Sequence, residues 1–262
     1  MTYLFSPDNW EWLITGNNAR FILEGFAINL EIAAIGMVFS LLFALPLALM
    51  GISKKRPVRV AARLWVDFWR NLPLLLVILY LAIVMPTSLR EAYESLVPGF
   101  FPEALQSGRV LAGLTALVLY NSAVIAEIMR AGILSLDRGQ GEAAAALGLS
   151  YTQQMRYVVL PQGLRRMVPA TVSQLITLNK DTTLVSIIAI QEVLSKGASV
   201  YGFNFFGGVQ APILHVLIFI GLLFLIVNYA LSRLSRRLEL PGEEGAARVS
   251  GIEDQVAPVR AA

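Results

Sequence analysis

No cysteine occurs among the 262 residues, and the single histidine, His215, lies within an apolar run. Disulfides, thiolate metal sites and a histidine metal cluster are therefore excluded. Charge is also scarce: 15% of the residues are charged against 56% hydrophobic, with a mean hydropathy of +0.64. That balance is too apolar for an ordinary soluble domain and indicates an integral membrane protein. The net charge of +3 and pI near 9.3 do not point to nucleic acid, because the basic residues cluster beside apolar runs, where topology explains them. The segment 1–12 lacks the basic start, short apolar core and small-residue cleavage site of a signal peptide, so the first span is expected to direct its own insertion. There is no G-x-x-x-x-G-K-S/T phosphate loop, so neither nucleotide nor any other cofactor is expected on this chain. No metal-ligand set, activated nucleophile or paired carboxylates form a recognisable motif, so catalysis has little support and an enzyme is not expected.

What is present is a series of apolar runs. Five are long enough to cross ~30 Å of hydrocarbon, which takes roughly 20 helical residues. They lie at about 25–50, 64–86, 110–133, 169–190 and 211–231. The first connection carries Lys54, Lys55, Arg56, Arg59 and Arg63, and the positive-inside rule places it in the cytoplasm. The connection 134–166 carries Arg138, Arg156, Arg165 and Arg166, and Arg233, Arg236 and Arg237 close the last run, so charge and parity agree. Connections 87–109 and 191–210 read as outer loops. The expected fold is all-α and membrane-embedded, with five transmembrane helices, the N-terminus outside and the C-terminus in the cytoplasm. Residues 1–21 form an N-terminal segment whose Trp10 and Trp12 suit the membrane interface, 22–235 the transmembrane domain, and 236–262 a charged cytoplasmic tail expected to be disordered. No inverted repeat is visible, and five helices are few for enclosing an aqueous path, so a partner subunit is expected.

Several polar residues interrupt these runs. Asn179, Lys180, Asp181, Thr182 and Thr183 fall mid-membrane, where one central charge facing lipid costs ~2.5 to 3.5 kcal/mol. Two readings stand. Lys180, Asp181, Thr182 and Thr183 together would suit a zwitterion such as an amino acid, or neighbours at a subunit interface neutralise them and they hold a broken helix. Asn121, beside Tyr120, is a further path candidate, although a single central asparagine more often bonds helix to helix. Arg70 and Asp67 sit in the first turns of the second run, where they can snorkel to the interface; a pore-lining Arg70 would instead suit an acidic substrate. Asn29 and Glu31, near the outer end of the first run, face water or protein. Glu127 and Arg130 are spaced i, i+3 and can pair as a structural unit. His215 suits an interhelical hydrogen bond better than a proton relay.

The most distinctive stretch is 142–161, EAAAALGLSYTQQMRYVVLP, a soluble-looking segment between apolar runs. Residues 142–147 favour helix, Gly148 can end it in the left-handed conformation, and Ser150 with Gln153 forms an S-x-x-Q capping box that starts another. Pro161 then blocks simple continuation. An elbow of two short helices suits something outside the bilayer that grips it, and equally a loop lying on the membrane surface.

Glu142, Ala143 and Ala144, then three residues, Gly148, nine residues, Val158, one residue, Leu160 and Pro161 resemble the EAA loop of ATP-binding-cassette importer permeases: EAA, x3, G, x9, I, x, LP. The one departure is Val158 for isoleucine. The stretches 70–75, RNLPLL, 126–133, AEIMRAGI, Gly139-Gln140, and 179–184, NKDTTL, are similar to the polar amino acid subfamily, so the likeness covers about 22–235 with the loop at 139–163. The resemblance implies a permease subunit in a bacterial cell membrane, multi-pass in the bilayer. It implies pairing with an identical or related permease, docking of the loop on separate ATPase subunits, and loading from an extracytoplasmic amino-acid-binding protein. The Arg-Asn-x-Pro form at 70–73 is closer to permeases for glutamate, aspartate or glutamine. The rival reading from the residues is an ion-coupled secondary transporter or channel that uses Lys180 and Asp181.

Overall fold

The computed structural model describes residues 5–203 and 211–238, and among these every regular element is helical. Of the expected tail, 236–262, residues 236–238 belong to the last helix, and 239–262 lie outside the described residues, as do 204–210 of the connection expected at 191–210. Helix α1 (Asn18–Gly51) is far longer than its apolar run requires: 34 residues at 1.5 Å each extend ~51 Å. Ahead of it, Trp12 is fully buried, edge-on to Phe219 at 6.1 Å between ring centroids, and Trp10 stands edge-on to His215 at 4.8 Å. Trp12 is thus a core residue at one end of the bundle and not the interface residue expected, because the last helix runs beside it.

The second run departs from expectation. Helix α2 (Arg56–Arg70) and helix α3 (Leu74–Val84) meet at 96°, so 64–86 is not one straight span. Pro73 lies between them; its ring disfavours helical geometry at Leu72, and its missing N–H makes it a natural first position for α3. The freed end of α2 is closed by Asn71, whose side chain donates to Asp67 O at 2.7 Å. The first outer connection is also structured. Helix α4 (Thr87–Leu96) is tied down by the Arg90 guanidinium on Ala82 O, by Tyr93 Oη on Leu105 O (2.8 Å) and by Glu94 Oε1, which accepts Gly108 N at 2.7 Å.

Helix α5 (Gly108–Leu134) is the centre of the molecule, packed by α1, α2, α3 and the later α8. Its bounds match the third apolar run closely. The loop elements follow: α6 (Arg138–Ala146), α7 (Tyr151–Gln154) and a π turn (Met155–Val159) that leads into α8 (Leu160–Asp181). A tight 3-10 segment (Thr182–Ile188), α9 (Val193–Phe203) and α10 (Ile213–Leu238) complete the chain. Three helices, α1, α5 and α10, are long and apolar enough to cross a membrane alone. The pairs α2 with α3, and 151–188 with α9, bent by 96° and 55°, raise the number to as many as five. Residues 193–203, expected as loop, are helix because Glu192 caps them, as described below.

The α5–α8 crossing is set by glycine. A Cβ on Gly163 would lie 3.0 Å from Ile133 Cγ1 and 3.1 Å from its Cα, and one on Gly132 would lie 3.1 Å from Gly163 O. Two backbones approach this closely only without side chains, the usual device of packed membrane helices. Gly163→Val should therefore push α8 off α5 at a cost of about 1 to 3 kcal/mol. A lowered thermal midpoint of the detergent-purified protein checks this; an unchanged midpoint would show that the crossing tolerates a wider spacing.

Candidate functional site: an elbow, a rod and a polar break

At the elbow, α6 ends in a Schellman arrangement. Gly148 has φ +78°, Gly148 N donates to Ala145 O (2.9 Å) and Leu149 N to Ala144 O (3.2 Å). Ser150 then starts α7, with the reciprocal capping box expected and Ser150 N donating to Gln153 Oε1 at 2.8 Å. Ala144 is buried, while Glu142 and Ala143 are exposed, and Leu147, at the corner, is 82% exposed. A large apolar side chain held out on a capped turn is a shape suited to a partner's groove.

The second limb is not the short helix expected. The chain is helical from Tyr151 through Ile188. Pro161 does not break it, because the π turn before it widens the helix: Leu160 N bonds Met155 O, and the proline, which has no N–H, sits in the first turn of α8. The elbow's second limb and α8 are therefore one rod. Its base is fixed by Arg166 Nη1 on Ser135 O (2.8 Å), Gln162 on Gln140 (3.3 Å) and Lys54 Nζ over the Tyr151 ring (4.4 Å). These contacts bring the basic connections 52–55 and 134–166 to one end of the molecule, as charge and parity required.

At the same end, Arg130 makes a two-point pair with Glu127, Nη2 to Oε1 at 2.5 Å and Nε to Oε2 at 2.8 Å. Arg63 and Arg70 act electrostatically on Glu127, and Asp67 on Arg130. Arg70 therefore belongs to a charged cluster at the base of α2 and α5. Measured along the helices, this cluster lies about 9 Å below Asn121, six residues before Glu127, and Lys180 lies about 9 Å above Gln174, the partner of Asn121. Arg70 and Lys180 are thus at opposite levels of the bundle.

The polar block divides between two faces. Asn179 is buried and donates to Asn228 Oδ1 of α10 at 3.0 Å. Thr182 is fully buried, donates to Asn179 O (2.7 Å) and accepts from Asn29 Nδ2 (2.9 Å). Lys180 is exposed, and Asp181 and Thr183 are half-buried, with Thr183 Oγ1 donating to Lys180 O at 2.8 Å. Asn121 is fully buried and spent: it donates to Leu117 O (2.8 Å) and accepts from Gln174 Nε2 (2.7 Å), a bond between α5 and α8.

Beyond Asp181 the helix tightens to 3-10, and Ala189 takes a left-handed φ of 59°. The turn survives because Asn29 and Glu192, both 0% exposed, satisfy what it frees. Asn29 Nδ2 donates to Glu192 Oε2 (3.0 Å), Asn29 Oδ1 accepts Val193 N (3.0 Å), and Glu192 Oε1 accepts Ser195 N (2.9 Å). Glu192 was not singled out in the sequence. The available signal was an acid three residues before Ser195, the spacing of a helix cap, next to an apolar run.

Residues 36–240 match the family described as the binding-protein-dependent transport system inner membrane component. The chain belongs to that family. It is 36% identical over 220 residues to a probable glutamine ABC transporter permease protein, GlnP, of Bacillus subtilis, covering 84% of this chain and 93% of that one. It is 32% identical to the arginine transport system permease protein ArtQ of the same species (88% and 96%), and 29% identical to the glutamate/aspartate import permease protein GltK of Escherichia coli (86% and 95%). Among solved structures, an amino acid ABC transporter with histidines superposes with a TM-score of 0.70 at 25% identity, covering 87% of this chain and 97% of that one. These likenesses place the chain among transport components of ABC importers, not enzymes, and the resemblance read from the EAA spacing is confirmed. A membrane-embedded permease component is accordingly what the fold describes.

Removing Asn29 would strand a buried carboxylate and a buried N–H at once. Asn29→Ala should cost the permease about 1 to 3 kcal/mol for each group left unsatisfied. Glu192→Gln, which retains an acceptor for Ser195 N, should cost less. The ordering of thermal midpoints in detergent tests this, and equal midpoints for Asn29→Ala and the parent would count against the network as the clamp of the break.

Proposed function

We propose that this chain is the permease subunit of an ATP-driven importer of a polar amino acid in a bacterial inner membrane. Relatives named for glutamine, glutamate/aspartate and arginine support that substrate class. In this reading the chain has five spans, an external N-terminus and a cytoplasmic C-terminus. It pairs with an identical or related permease, receives substrate from an extracytoplasmic binding protein and docks on separate ATPase subunits. Glu142, Ala143, Ala144, Gly148, Leu160 and Pro161 form the coupling element. The observation that carries the proposal is the continuity of the elbow's second limb with α8: helix runs from Tyr151, just past the capped corner at Leu147 and Gly148, to the polar break at 180–183, so displacement of the corner would be passed along it.

The proposed path-facing residues are Lys180, Asp181 and Thr183, at the end of α8 and the start of the 3-10 segment, which are exposed or half-buried among the described residues. Thr182 and Asn121 support the path from behind, since their polar atoms are engaged within the subunit. Arg70, with Glu127 and Arg130, organises the end of the bundle nearest the elbow. Alternating access then follows if nucleotide-bound and free states of the ATPases bind the elbow with different affinity, since only such a difference shifts the equilibrium.

Uptake by the complex reconstituted in liposomes with its binding protein should require ATP on the elbow side. Uptake that persists without ATP and follows an imposed ion gradient would overturn the importer reading in favour of an ion-coupled carrier. Within that assay, Gly148→Asp should abolish most uptake while leaving the spans inserted. Its left-handed φ costs a side chain about 1 to 2 kcal/mol, and the new carboxylate faces the negative end of α6. Wild-type uptake by this variant would remove the elbow from the coupling path.

Lys180→Ala and Asp181→Ala should each lower uptake with the ATPase still assembled. An unchanged dependence of uptake on substrate concentration would remove both residues from the path.

A further inference from the structure

An apolar recess lies apart from both the elbow and the polar break. It is a lateral groove of about 890 Å³ between α1, α2, α4 and α5. Phe39, Phe43, Leu47 and Met50 of α1 line it, with Leu119 of α5 and Trp65 of α2. Phe39, Phe43 and Trp65 are 49%, 57% and 43% exposed, so their rings are only partly covered by the described residues. From Phe39 to Met50 the groove follows eleven residues of helix, ~16 Å, which is about the depth of one leaflet in a hydrocarbon core of ~30 Å.

The Met50 end of the groove adjoins the densest charge on the chain. Lys54, Lys55, Arg56, Arg59 and Arg63 follow with no acidic residue before Asp67, and among the described residues none of the five forms a salt bridge. Helix α2 presents this charge in an ordered way. Arg56, Arg63 and Arg70 lie along one side, and Leu64, Trp65 and Phe68, all exposed, lie along another. Helix α2 is the basic limb of the bent pair that it forms with α3 at 96°, and its pattern suits the membrane interface, with its apolar side toward the acyl region.

We propose that the groove holds one acyl chain of an anionic phospholipid of the inner leaflet, with the lipid phosphate among Lys54, Lys55, Arg56 and Arg63. The charge decides between lipid and a second copy of this chain as occupant. A second copy brings its own positive connections to the same level of the membrane and meets this cluster with like charge. An anionic lipid brings the complementary sign. The proposal rests on the cytoplasmic placement of residues 52–55 and not on amino acid import, so its failure and that of the transport reading are separable.

The test uses the assembled complex reconstituted in bilayers that contain brominated phospholipid, with Trp65 as the reporter and Trp65→Phe identifying its share of the fluorescence. Brominated anionic phospholipid should quench Trp65 more than brominated zwitterionic phospholipid at equal mole fraction. Substituting glutamine at Lys54, Lys55, Arg56 and Arg63 should reduce that preference by about fivefold for each cation removed, at the ~1 kcal/mol expected per basic residue near an anionic surface. Thr115→Phe, which projects a ring into the groove, should reduce quenching by both lipids. Equal quenching by the two lipids in the parent would overturn the headgroup assignment. Absence of quenching, with Trp65 shielded by a partner permease, would overturn the lipid as occupant.

Discussion

Hydrocarbon offers no water to a backbone group that loses its helical partner, so each break in this chain is placed where another group can take over. Where α2 ends, the Asn71 side chain closes onto Asp67 O and Pro73 supplies a residue with no N–H to satisfy. At the entry to α8, Pro161 would cost a hydrogen bond in a regular helix, and the π turn before it distributes that loss over one wide turn. Beyond Asp181 the cost is greatest, because a 3-10 segment, a left-handed alanine and a new helix start follow in succession. There two buried side chains, Asn29 and Glu192, serve the freed groups, and the break exists because α1 brings an asparagine to it.

The same constraint gives the elbow its mechanical character. A loop joined to a span through a flexible hinge would absorb a partner's movement; one joined through continuous helix cannot do so without bending the helix. Here the limb from Tyr151 to Asp181 is continuous, and glycine contact at 132 and 163 holds it against α5. The next change of geometry lies further along, in the 3-10 segment, where hydrogen-bond geometry is poorer than in the α-helix and the Asn29–Glu192 network holds the turn. In the proposed transport cycle, movement at the elbow would be expressed at the polar break instead of being lost at the loop. The Asn121–Gln174 bond, midway along the rod, ties α8 to α5 between the two ends.

Much of this was legible in the residues. The EAA spacing, the left-handed Gly148 and the Ser150–Gln153 capping box are local, and local chemistry determines them. So is the Glu127–Arg130 pair, which a single helical turn brings together. What was not legible depends on contacts distant in sequence. Apolar length alone made residues 64–86 one span, because hydropathy does not register a 96° turn. Trp12 looked interfacial because nothing near it in sequence announces Phe219, and residues 193–203 looked like loop because the residue that secures their start, Asn29, lies over 160 positions earlier. A polar residue in an apolar run shows that a partner must exist without showing which.

The polar block shows how far that partner reasoning extends. Helical geometry sends Asn179 and Thr182 inward, where α10 and α1 meet them, and leaves Lys180 exposed among the described residues. An ammonium group exposed to lipid at mid-membrane costs ~2.5 to 3.5 kcal/mol even on the lenient insertion scales, and no acidic side chain of this chain lies in a salt bridge with it among the described residues. Water alone would lower that cost only if something else walled the water off from the acyl chains. A second permease facing this side of α8 provides such a wall, and it brings a second copy of the same polar face when the pair is identical. In the proposed assembly, a paired subunit on this side of α8 would relieve that cost, which ties the pairing to one lysine as well as to the family pattern.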